Sequence, residues 1–465
     1  MDKNKIFLIN RGELEGRLDS YYYNEVFLNN EINLHKIGYT RFGEFIKVIT
    51  KGSTPEMINE GIPFLKVLNM NEFGIKTEKL DFISFKTHQS MKRSQLHGNE
   101  ILYSMAGTIG MAVNYDKKFE QANINQAIAK IILNDKSFNI VMVYLLNSRL
   151  CNLQAKRFLT VSAQPNINFE QIKSIKIPKI LENQKIEIIS TMDRAYESKK
   201  QKEKEAQGLL DNIDDYLFDK LGIKLPVKPE NNIENITFKV GFDDIFGDRL
   251  DADSYTSYYQ NIFDTFEKST CKFTTLKTIT KKIKTGTTPD QKLDAFTIEK
   301  EIVFLRNSDI QDGEIIEDKF KYIKNNLEKY LTFSYKNEII ICIAGTIGIS
   351  ALNRFDRLAI NQNVSSLTID ETQININFLI SWLNTKVAIS LLKRLASIAT
   401  IAYVNNPTLL RLQIPLPAIT IQNKIVDEIK QRRQKAKQLQ EEAKLELENA
   451  KKEVERIILG NNYEC

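Results

Sequence analysis

Two loops of this chain combine a lysine, a glycine, hydroxyl side chains and a proline. They are Lys51-Gly52-Ser53-Thr54-Pro55 and Lys284-Thr285-Gly286-Thr287-Thr288-Pro289. Lysine, hydroxyl groups and main-chain amides are donors that can meet phosphate oxygens, and glycine leaves the backbone accessible. The alternative is an ordinary turn with a solvated lysine, and the sequence alone leaves both interpretations open.

Two further sets of residues could contribute to the same binding chemistry. Lys66 and Arg306 are equivalent positions, followed by Asn69 in the first case and by Asn307 and Asp309 in the second. Arginine and asparagine are the side chains that pair bidentately with guanine and adenine edges, but salt-bridge and turn roles are equally open. The pairs Asn125-Gln126 and Asn361-Gln362 either read base edges or hydrogen-bond a loop.

A glycine-rich segment follows an apolar run at two places, Ala106-Gly107-Thr108-Ile109-Gly110 and Ala344-Gly345-Thr346-Ile347-Gly348. The glycine spacing does not match a dinucleotide fingerprint or a P-loop, and no Gly-Lys-Ser/Thr follows. We therefore predict a tight turn between two strands rather than a nucleotide pocket. Such a turn can still present Thr108 and Thr346 to a phosphate backbone.

The residue types of an active site do not recur. All three histidines, His35, His88 and His97, lie in the first half of the chain. No cysteine or histidine pair has the spacing of a metal site. The segment Asn405-Asn406-Pro407-Thr408 lacks the second proline and the aromatic residue of an adenine-methyltransferase loop. The sequence predicts a binding protein with no catalytic residue, metal or cofactor of its own.

The motifs recur in the same order because the chain is a tandem duplication. Gly52 and Gly286 are 234 residues apart, and Gly107 and Gly345 are 238 apart. Arg17-Leu18-Asp19, followed by tyrosines, returns as Arg249-Leu250-Asp251. Two copies of one binding domain on one chain imply a target with two half-sites.

The composition is that of a globular protein. The chain has 465 residues, 42% of them hydrophobic, and a net charge of +6 that is too modest to identify a partner. Its longest apolar stretch, residues 339–352, is shorter than the roughly 20 residues of a membrane span and is interrupted by two glycines. No targeting segment is visible, so we expect a cytoplasmic protein that does not enter membranes.

Two proline-free segments, from about Gln184 to Leu221 and from about Gln422 to Leu459, have apolar residues at helical spacing. We predict two long helices of roughly 60 Å each, which end at Gly222 and Gly460. Their apolar stripes cannot remain in water, so the helices should pack on one another. The stripe positions are Ile186, Ile189, Tyr196, Leu210, Ile213 and Leu217 in the first helix, and Ile425, Ile429, Leu439, Leu447, Val454 and Ile457 in the second.

Taken in order, these motifs resemble the specificity subunit of a type I restriction-modification system. The resemblance also includes the Ile177-Pro178 and Ile414-Pro415 strands and the glutamines that open the two helices. It implies an α/β (α+β) fold, in which two tandem-repeat target recognition domains are separated by two long antiparallel coiled-coil helices. The expected boundaries are 1–181 for the first domain, 182–222 for the first spacer helix, 223–248 for a linker, 249–419 for the second domain and 420–460 for the second spacer helix.

The resemblance also implies a function. Each repeat would read one half of a bipartite site in double-stranded DNA, while the helices set the gap and dock two methyltransferase subunits. S-adenosylmethionine, ATP and magnesium would belong to the modification and motor-nuclease partners. The expected DNA-binding residues are Lys51, Gly52, Ser53, Thr54, Lys66, Asn69, Thr108, Gln126, Lys284, Gly286, Thr287, Thr288, Arg306, Asn307, Asp309, Thr346 and Gln362.

Two other functions remain open at this point. Duplicated α/β domains on a coiled coil could form an adaptor that binds protein partners instead of DNA. The chain could also be the specificity half of a fused methyltransferase, although a full-length duplicate without a catalytic block argues against that.

Overall fold

The computed structural model describes residues 14, 17–159, 165–227, 239, 241, 255–290, 294–311, 313–396 and 402–460. The second Arg-Leu-Asp box and most of the predicted linker lie outside these residues. The chain forms two compact units, unit 1 from Met1–Lys204 with Leu439–Cys465 and unit 2 from Glu205–Gln438. Each unit therefore combines one repeat with a segment from the other half of the chain.

A four-stranded antiparallel sheet forms the centre of each unit, and its strand order is the same in both. In unit 1 the order is Ile46–Lys51, Ile128–Leu133, Glu100–Ser104 and Ala112–Tyr115. In unit 2 it is Thr280–Thr285, Val364–Ile369, Ile339–Cys342 and Ser350–Leu352. The third strand of each sheet is buried throughout, and in unit 2 it is an apolar, mostly β-branched run.

A second sheet differs in size between the units. Unit 1 has three strands, in the order Asp81–Ile83, Ile62–Leu65 and Asn123–Ile124. Unit 2 has five, in the order Phe296–Thr297, Lys321–Ile323, Ile302–Leu305, Arg357–Ile360 and Thr332–Tyr335. Each of these sheets contains one parallel pair.

Two short strand pairs and two hairpins, one of each in each unit, complete the β-structure. The Ile-Pro strands Lys176–Pro178 and Gln413–Pro415 pair with Tyr39–Arg41 and Phe273–Thr275, which confirms their prediction. The hairpins are Met70–Asn71 with Gly74–Ile75, and Ile310–Gln311 with Glu314–Ile315. The strand content is therefore mostly antiparallel and accompanied by separate helices, an α+β arrangement.

Short helices cover the sheets. Those of unit 1 are Glu25–Ile37, Phe85–Ser90, Asn139–Asn147, Arg149–Arg157 and Phe169–Ser174. Those of unit 2 are Ile213–Leu221, Ser257–Lys268, Leu276–Ile279, Ile376–Leu383, Lys386–Leu395 and Asn406–Leu409. The equivalent caps Ser148 and Thr385 begin a matched helix in each unit by accepting a main-chain N–H with their hydroxyl oxygen.

The two long helices form as predicted, with one interruption. The C-terminal helix Ile419–Leu459 is continuous, whereas the first is divided at Asn212 into Glu182–Asp211 and Ile213–Leu221. Gly222 and Gly460 both have positive φ angles, of 66° and 83°, directly after the last helical residues. These glycines are the C-terminal stops that the sequence predicts. None of the described helices is long and apolar enough to cross a membrane.

The core of unit 1 includes both long helices. Ile188 and Met192 of the first helix belong to the same buried cluster as Leu447 and Val454 of the C-terminal helix. The Gln184 side chain donates to the carbonyl of Ile457 at 2.6 Å, near the opposite end of its partner. The helices of unit 1 therefore pack antiparallel, which confirms the predicted contact between the stripes.

One position of the predicted stripe is exposed, and several others are only partly buried. Ile186 is 64% exposed, and Ile188 takes the buried position instead. Ile457 is only partly buried, while Ile458 is buried. The recognition domain also packs on these helices, so the buried face is determined by the domain core as well as by the facing helix.

Polar contacts replace the apolar seam in the middle of the first helix. Lys202 binds Glu442 at 3.2 Å and Glu446 at 2.7 Å, and the Ser198 hydroxyl donates to Glu446 at 2.5 Å. The hydrogen bonds from Lys202 and Ser198 hold the pKa of Glu446 below its ordinary value. The polar stretch that interrupts the stripe is therefore paired across the two helices of unit 1.

The core of unit 2 includes the C-terminal part of the first long helix and the N-terminal part of the second. Leu217 and Leu221 lie in one buried cluster with Ile425, Ile429 and the fully buried Trp382. Two members of the predicted stripe, Leu210 and Ile213, are partly buried. The side chain of Arg432 donates to the carbonyl of Asn212 at 3.3 Å.

A carboxylate on a long helix binds the start of a domain helix in each unit. In unit 1, Glu455 accepts the main-chain N–H of Arg149 at 3.1 Å. In unit 2, Asp214 accepts the N–H of Lys386 at 2.9 Å. Burial raises the pKa of both carboxyl groups, although the hydrogen bonds and nearby positive charge oppose that rise. These contacts join the helices to the matched domain helices Arg149–Arg157 and Lys386–Leu395.

The raised pKa of Glu455 predicts a measurable pH dependence. Folded protein binds a proton at Glu455 more tightly than unfolded protein, so its contribution to stability falls as pH rises through the folded pKa. Glu455→Gln retains an oxygen acceptor for Arg149 but cannot ionise. We expect the Tm of this variant relative to the unmodified chain to be more favourable at about pH 8 than at about pH 4.

Differential scanning fluorimetry over this pH range measures the effect, with the exposed Glu441 on the same helix as the matched control. Glu441→Gln should shift the Tm equally at both ends of the range. The same flat response from Glu455→Gln would show that burial of this carboxyl carries no net penalty.

Candidate nucleic-acid interface

A short loop, here called the arm, follows the first strand of the central sheet in each unit. The arms are Lys51-Gly52-Ser53-Thr54-Pro55 and Thr285-Gly286-Thr287-Thr288-Pro289. In unit 1, the main-chain N–H of Gly52 donates to the carbonyl of Asn125 at 3.3 Å. In unit 2, the N–H of Gly286 donates to the carbonyl of Val364 at 2.9 Å. The arm thus lies directly against the Asn-Gln segment.

Glycine is needed at the start of each arm because there is no space for a side chain. A Cβ atom on Gly52 would overlap the carbonyl oxygen of Ile124, and one on Gly286 would overlap those of Ile360 and Asn361. These are main-chain atoms at the ends of the second-sheet strands Asn123–Ile124 and Arg357–Ile360, so they cannot turn aside as a flexible side chain would. The glycine allows the close approach that positions the rest of the arm.

The close approach creates the same exposed side-chain pair in both units. The Thr54 hydroxyl donates to the side-chain carbonyl of Gln126, and the Thr288 hydroxyl does so to that of Gln362. All four residues are exposed. The Thr–Gln pair leaves amide donors of glutamine on the surface, where they can meet a nucleic acid.

The asparagines beside these glutamines have a local structural role. Asn125 and Asn361 each accept, with their side-chain oxygen, the main-chain N–H two residues later, at 3.2 and 3.3 Å. Asn361 is also buried. Of the two uses that the sequence left open for the Asn-Gln pair, the asparagine holds the loop while the glutamine reaches the surface.

The turn after the strand Ile62–Leu65 is closed by side chains that were expected to read bases. Asn69 is completely buried, and it accepts the N–H of Lys66 at 2.9 Å. Lys66 itself forms an ion pair with Asp81 at 2.6 Å. The expectation that Asn69 lies on a DNA-binding surface is therefore corrected, because its side chain is buried and hydrogen-bonded within the turn.

The equivalent turn of unit 2 is closed by a stronger version of the same contact. Arg306 donates through two nitrogen atoms to Asp309, at 3.0 and 2.7 Å. Asp309 is only 1% exposed. The expectation that Asp309 binds DNA is therefore corrected as well, because this residue closes the turn. Its carboxylate also neutralises the guanidinium of Arg306, which was expected to bind DNA.

The glycine-rich segments are turns between adjacent antiparallel strands, as predicted. The first joins Glu100–Ser104 to Ala112–Tyr115, and the second joins Ile339–Cys342 to Ser350–Leu352. A Cβ on Gly345 would come within 2.8 Å of the Asn307 amide nitrogen, and one on Gly107 within 3.8 Å of Val67. The turns therefore lie beside the Lys66 and Arg306 turns, with Thr108 and Thr346 exposed.

Lys51 at the start of the first arm and Lys284 just before the second arm have different surroundings. Lys51 and Ser53 are exposed, as a phosphate contact would require. Lys284 is instead paired with Glu338 at 2.9 Å, and its ammonium group lies 4.6 Å from the centre of the Tyr335 ring. Thr287 is exposed and accepts the N–H of Thr332 at 3.0 Å.

A contact between the recognition domain and the long helices was not foreseen from the sequence. In unit 1 the hairpin Met70–Ile75 carries Phe73, whose ring packs edge-on against Tyr196 at 4.8 Å. Lys199 lies 4.6 Å from the Phe73 ring centre, and Lys451 pairs with Glu72 at 2.8 Å. This hairpin follows the Lys66 turn directly, so it anchors that turn to the helices. A lone aromatic at a hairpin tip is the only sequence signal.

No group of three or more His, Cys, Asp or Glu side chains in the described ranges is placed to hold a metal ion. The side chains gathered around the arms are instead hydroxyl, amide and cationic groups. Their chemistry suits hydrogen bonding to phosphate oxygens and base edges.

Family comparison agrees with this interface and with the duplication. The family model described as "Type I restriction modification DNA specificity domain" matches residues 35–208 and again residues 268–449. The chain belongs to this family and is built as a DNA sequence-specificity subunit with two copies of the domain. No curated protein sequence matches the chain.

Three solved structures are similar to this chain at low sequence identity, and the TM-score of one of them exceeds 0.5. One, from work on the "complex assembly and conformational transition of the type I R-M system", has 13% identity and a TM-score of 0.52, covering 90% of this chain and 96% of its own. The S subunit of such a system from M. genitalium has 14% identity and a TM-score of 0.40 over 91% and 96% of the two chains. The HsdS subunit from Thermoanaerobacter tengcongensis has 11% and 0.38 over 91% and 97%.

Because there is no space for a side chain at Gly52, we predict that a substitution there lowers the free energy of unfolding. Gly52→Ala would force the arm away from Ile124, and we expect it to destabilise the protein by about 1–3 kcal/mol, as overpacking does. Gly208→Ala is the control, because a Cβ there meets nothing within 4 Å. In a helix interior that change should stabilise by about 0.5–1 kcal/mol. Urea denaturation of both variants measures the difference, and equal stability of Gly52→Ala and the unmodified chain would contradict the assignment.

Proposed function

We propose that each unit binds one half of a bipartite, asymmetric site in double-stranded DNA. The observation that carries this proposal is the arm with its exposed Thr–Gln pair, built twice from equivalent residues of the two repeats. The two half-sites differ in base sequence but share the sugar-phosphate backbone. Residues that contact this backbone are therefore expected to be the same in both units. Two tethered modules also gain affinity through effective concentration when their spacing matches the target.

The arm residues are the proposed backbone contacts. Lys51, Ser53 and Thr108 of unit 1 are exposed and are suited to phosphate oxygens, as is Thr346 in unit 2. The side-chain amides of Gln126 and Gln362 extend the same surface. Lys66 and Arg306 would contribute only if DNA displaced the acidic partners that hold them.

The long helices are the proposed spacer and docking surface. Their length would set the unread gap between the half-sites, and their exposed residues would dock two modification subunits. Ile186 is one candidate docking residue because it is apolar and exposed on the first helix. We assign methylation with S-adenosylmethionine, and cleavage with ATP and magnesium, to modification and motor-nuclease partners in the cytoplasm, so that this chain has no catalytic step.

The adenine methylome of cells that express the chain with its modification subunits tests the proposal. We expect a motif of two short defined parts around a fixed gap, and its loss when the chain is removed. Exchange of residues 17–180 for another recognition domain should alter one part and preserve the other. A methylome that does not depend on the chain, although the partner subunits are active, would reject the DNA-specificity function.

Salt dependence separates DNA binding from the adaptor alternative. Binding to phosphates releases counterions, so the logarithm of affinity should fall linearly with the logarithm of salt concentration. Fluorescence anisotropy of a labelled duplex across a salt series measures this slope. A duplex affinity that is undetectable even at low salt, together with stable binding of protein partners, would favour the adaptor.

A further inference from the structure

A turn next to each arm has a fixed main chain and side chains that differ between the units. We call these turns the tips, Lys92-Arg93 in unit 1 and Lys329-Tyr330 in unit 2. Each tip precedes a shared landmark, Asn99 or Asn337, both of which have positive φ angles, of 62° and 69°. The tips therefore occupy corresponding places in the two repeats.

The main chain of each tip is tied to its arm or to the strand that leads into it. In unit 1 the Thr50 hydroxyl donates to the carbonyl of Arg93 at 3.0 Å. In unit 2 the Thr287 hydroxyl donates to the carbonyl of Tyr330 at 2.9 Å. Thr50 lies in the strand before the arm and Thr287 lies in the arm itself, but each of them binds a main-chain carbonyl of its tip. The tip is held beside the proposed backbone contacts, so its main chain needs little ordering on binding.

The side chains of the tips face solvent. Lys92 and Arg93 are exposed, and within the described ranges neither has an acidic group at ion-pair distance. This distinguishes Arg93 from Arg306, whose guanidinium is held by Asp309. Tyr330 is 50% exposed, with the Lys329 ammonium 4.9 Å from its ring centre. Each tip thus offers a cation together with a second group that differs between the units.

Discrimination between two unlike half-sites needs residues that differ between the units. The arms and glycine-rich turns are nearly identical in both repeats, so they cannot distinguish one half-site from the other. Arginine donates bidentately to guanine, whereas a tyrosine offers an apolar ring and one hydroxyl group. The tips combine divergent side chains with a common main-chain placement.

We propose that Arg93 and Tyr330 are specificity-determining residues, each of which reads a base in the half-site bound by its own unit. This inference rests on the proposed function, and it names side chains that would read sequence at that interface. Lys92 and Lys329 would contact the neighbouring phosphates.

The test is the methylome of cells carrying Arg93→Ala or Tyr330→Ala, with the modification subunits present. Arg93→Ala should relax one base position in one half of the motif, by about 5- to 100-fold in discrimination as for one bidentate contact. Tyr330→Ala should relax a position in the other half. The gap between the halves should not change in either variant.

Two controls separate base reading from loss of charge or folding. Lys47→Ala removes an exposed positive charge from unit 1 and should leave the motif unchanged. Arg93→Lys retains the charge but loses the bidentate geometry, so it should relax the same position as Arg93→Ala. The Tm of each variant verifies that the fold is retained. If Arg93→Ala is unstable, Arg93→Lys replaces it in the methylome test.

The outcomes distinguish this inference from the function on which it rests. An unmodified chain that directs no motif rejects the proposed function. A motif unchanged in both tip variants overturns this inference alone. A uniform decrease in methylation of all sites by Arg93→Ala, with a salt slope reduced by about one, would identify Arg93 as a phosphate contact and would also overturn it.

Discussion

Neither repeat can complete its hydrophobic core with its own residues. The core of unit 1 incorporates Leu447 and Val454, which belong to the second repeat. The core of unit 2 incorporates Leu217 and Leu221, which belong to the first repeat. Burial of these apolar side chains is the main stabilising contribution available to the helices. A helical segment from the other repeat thus completes the core of each unit.

This arrangement connects the recognition turns to the helices by contacts of several kinds. Glu455 binds the start of a domain helix, and the hairpin that carries Phe73 packs against Tyr196 on the first long helix. The hairpin is the direct continuation of the turn closed by Asn69. Movement of that turn would therefore disturb an aromatic contact and the Glu72–Lys451 ion pair. The orientation of the turn within unit 1 is specified by packing rather than by the turn sequence alone.

The candidate interface divides into a common part and a variable part. The common part is built on the glycines of the arms, whose close contact with strands of the second sheet fixes the exposed Thr–Gln pairs. The variable part lies on the tips, which use the same kind of main-chain hydrogen bond to present unlike side chains. A duplicated domain can change its target in this way without altering the contacts that hold it to a DNA backbone.

The sequence by itself determined the duplication, the two long helices with their glycine stops, the strand-to-strand turns and the family. These features depend on motif order and on local periodicity, both of which can be read along the chain. Only the tertiary structure decided that Asn69 and Asp309 are buried, that Ile188 replaces Ile186 in the core, and that Thr54 meets Gln126. Each of these outcomes depends on groups brought together from separate segments of the chain. Side-chain type and spacing indicate what a residue can bind, but the availability of its polar atoms depends on which neighbours have already used them.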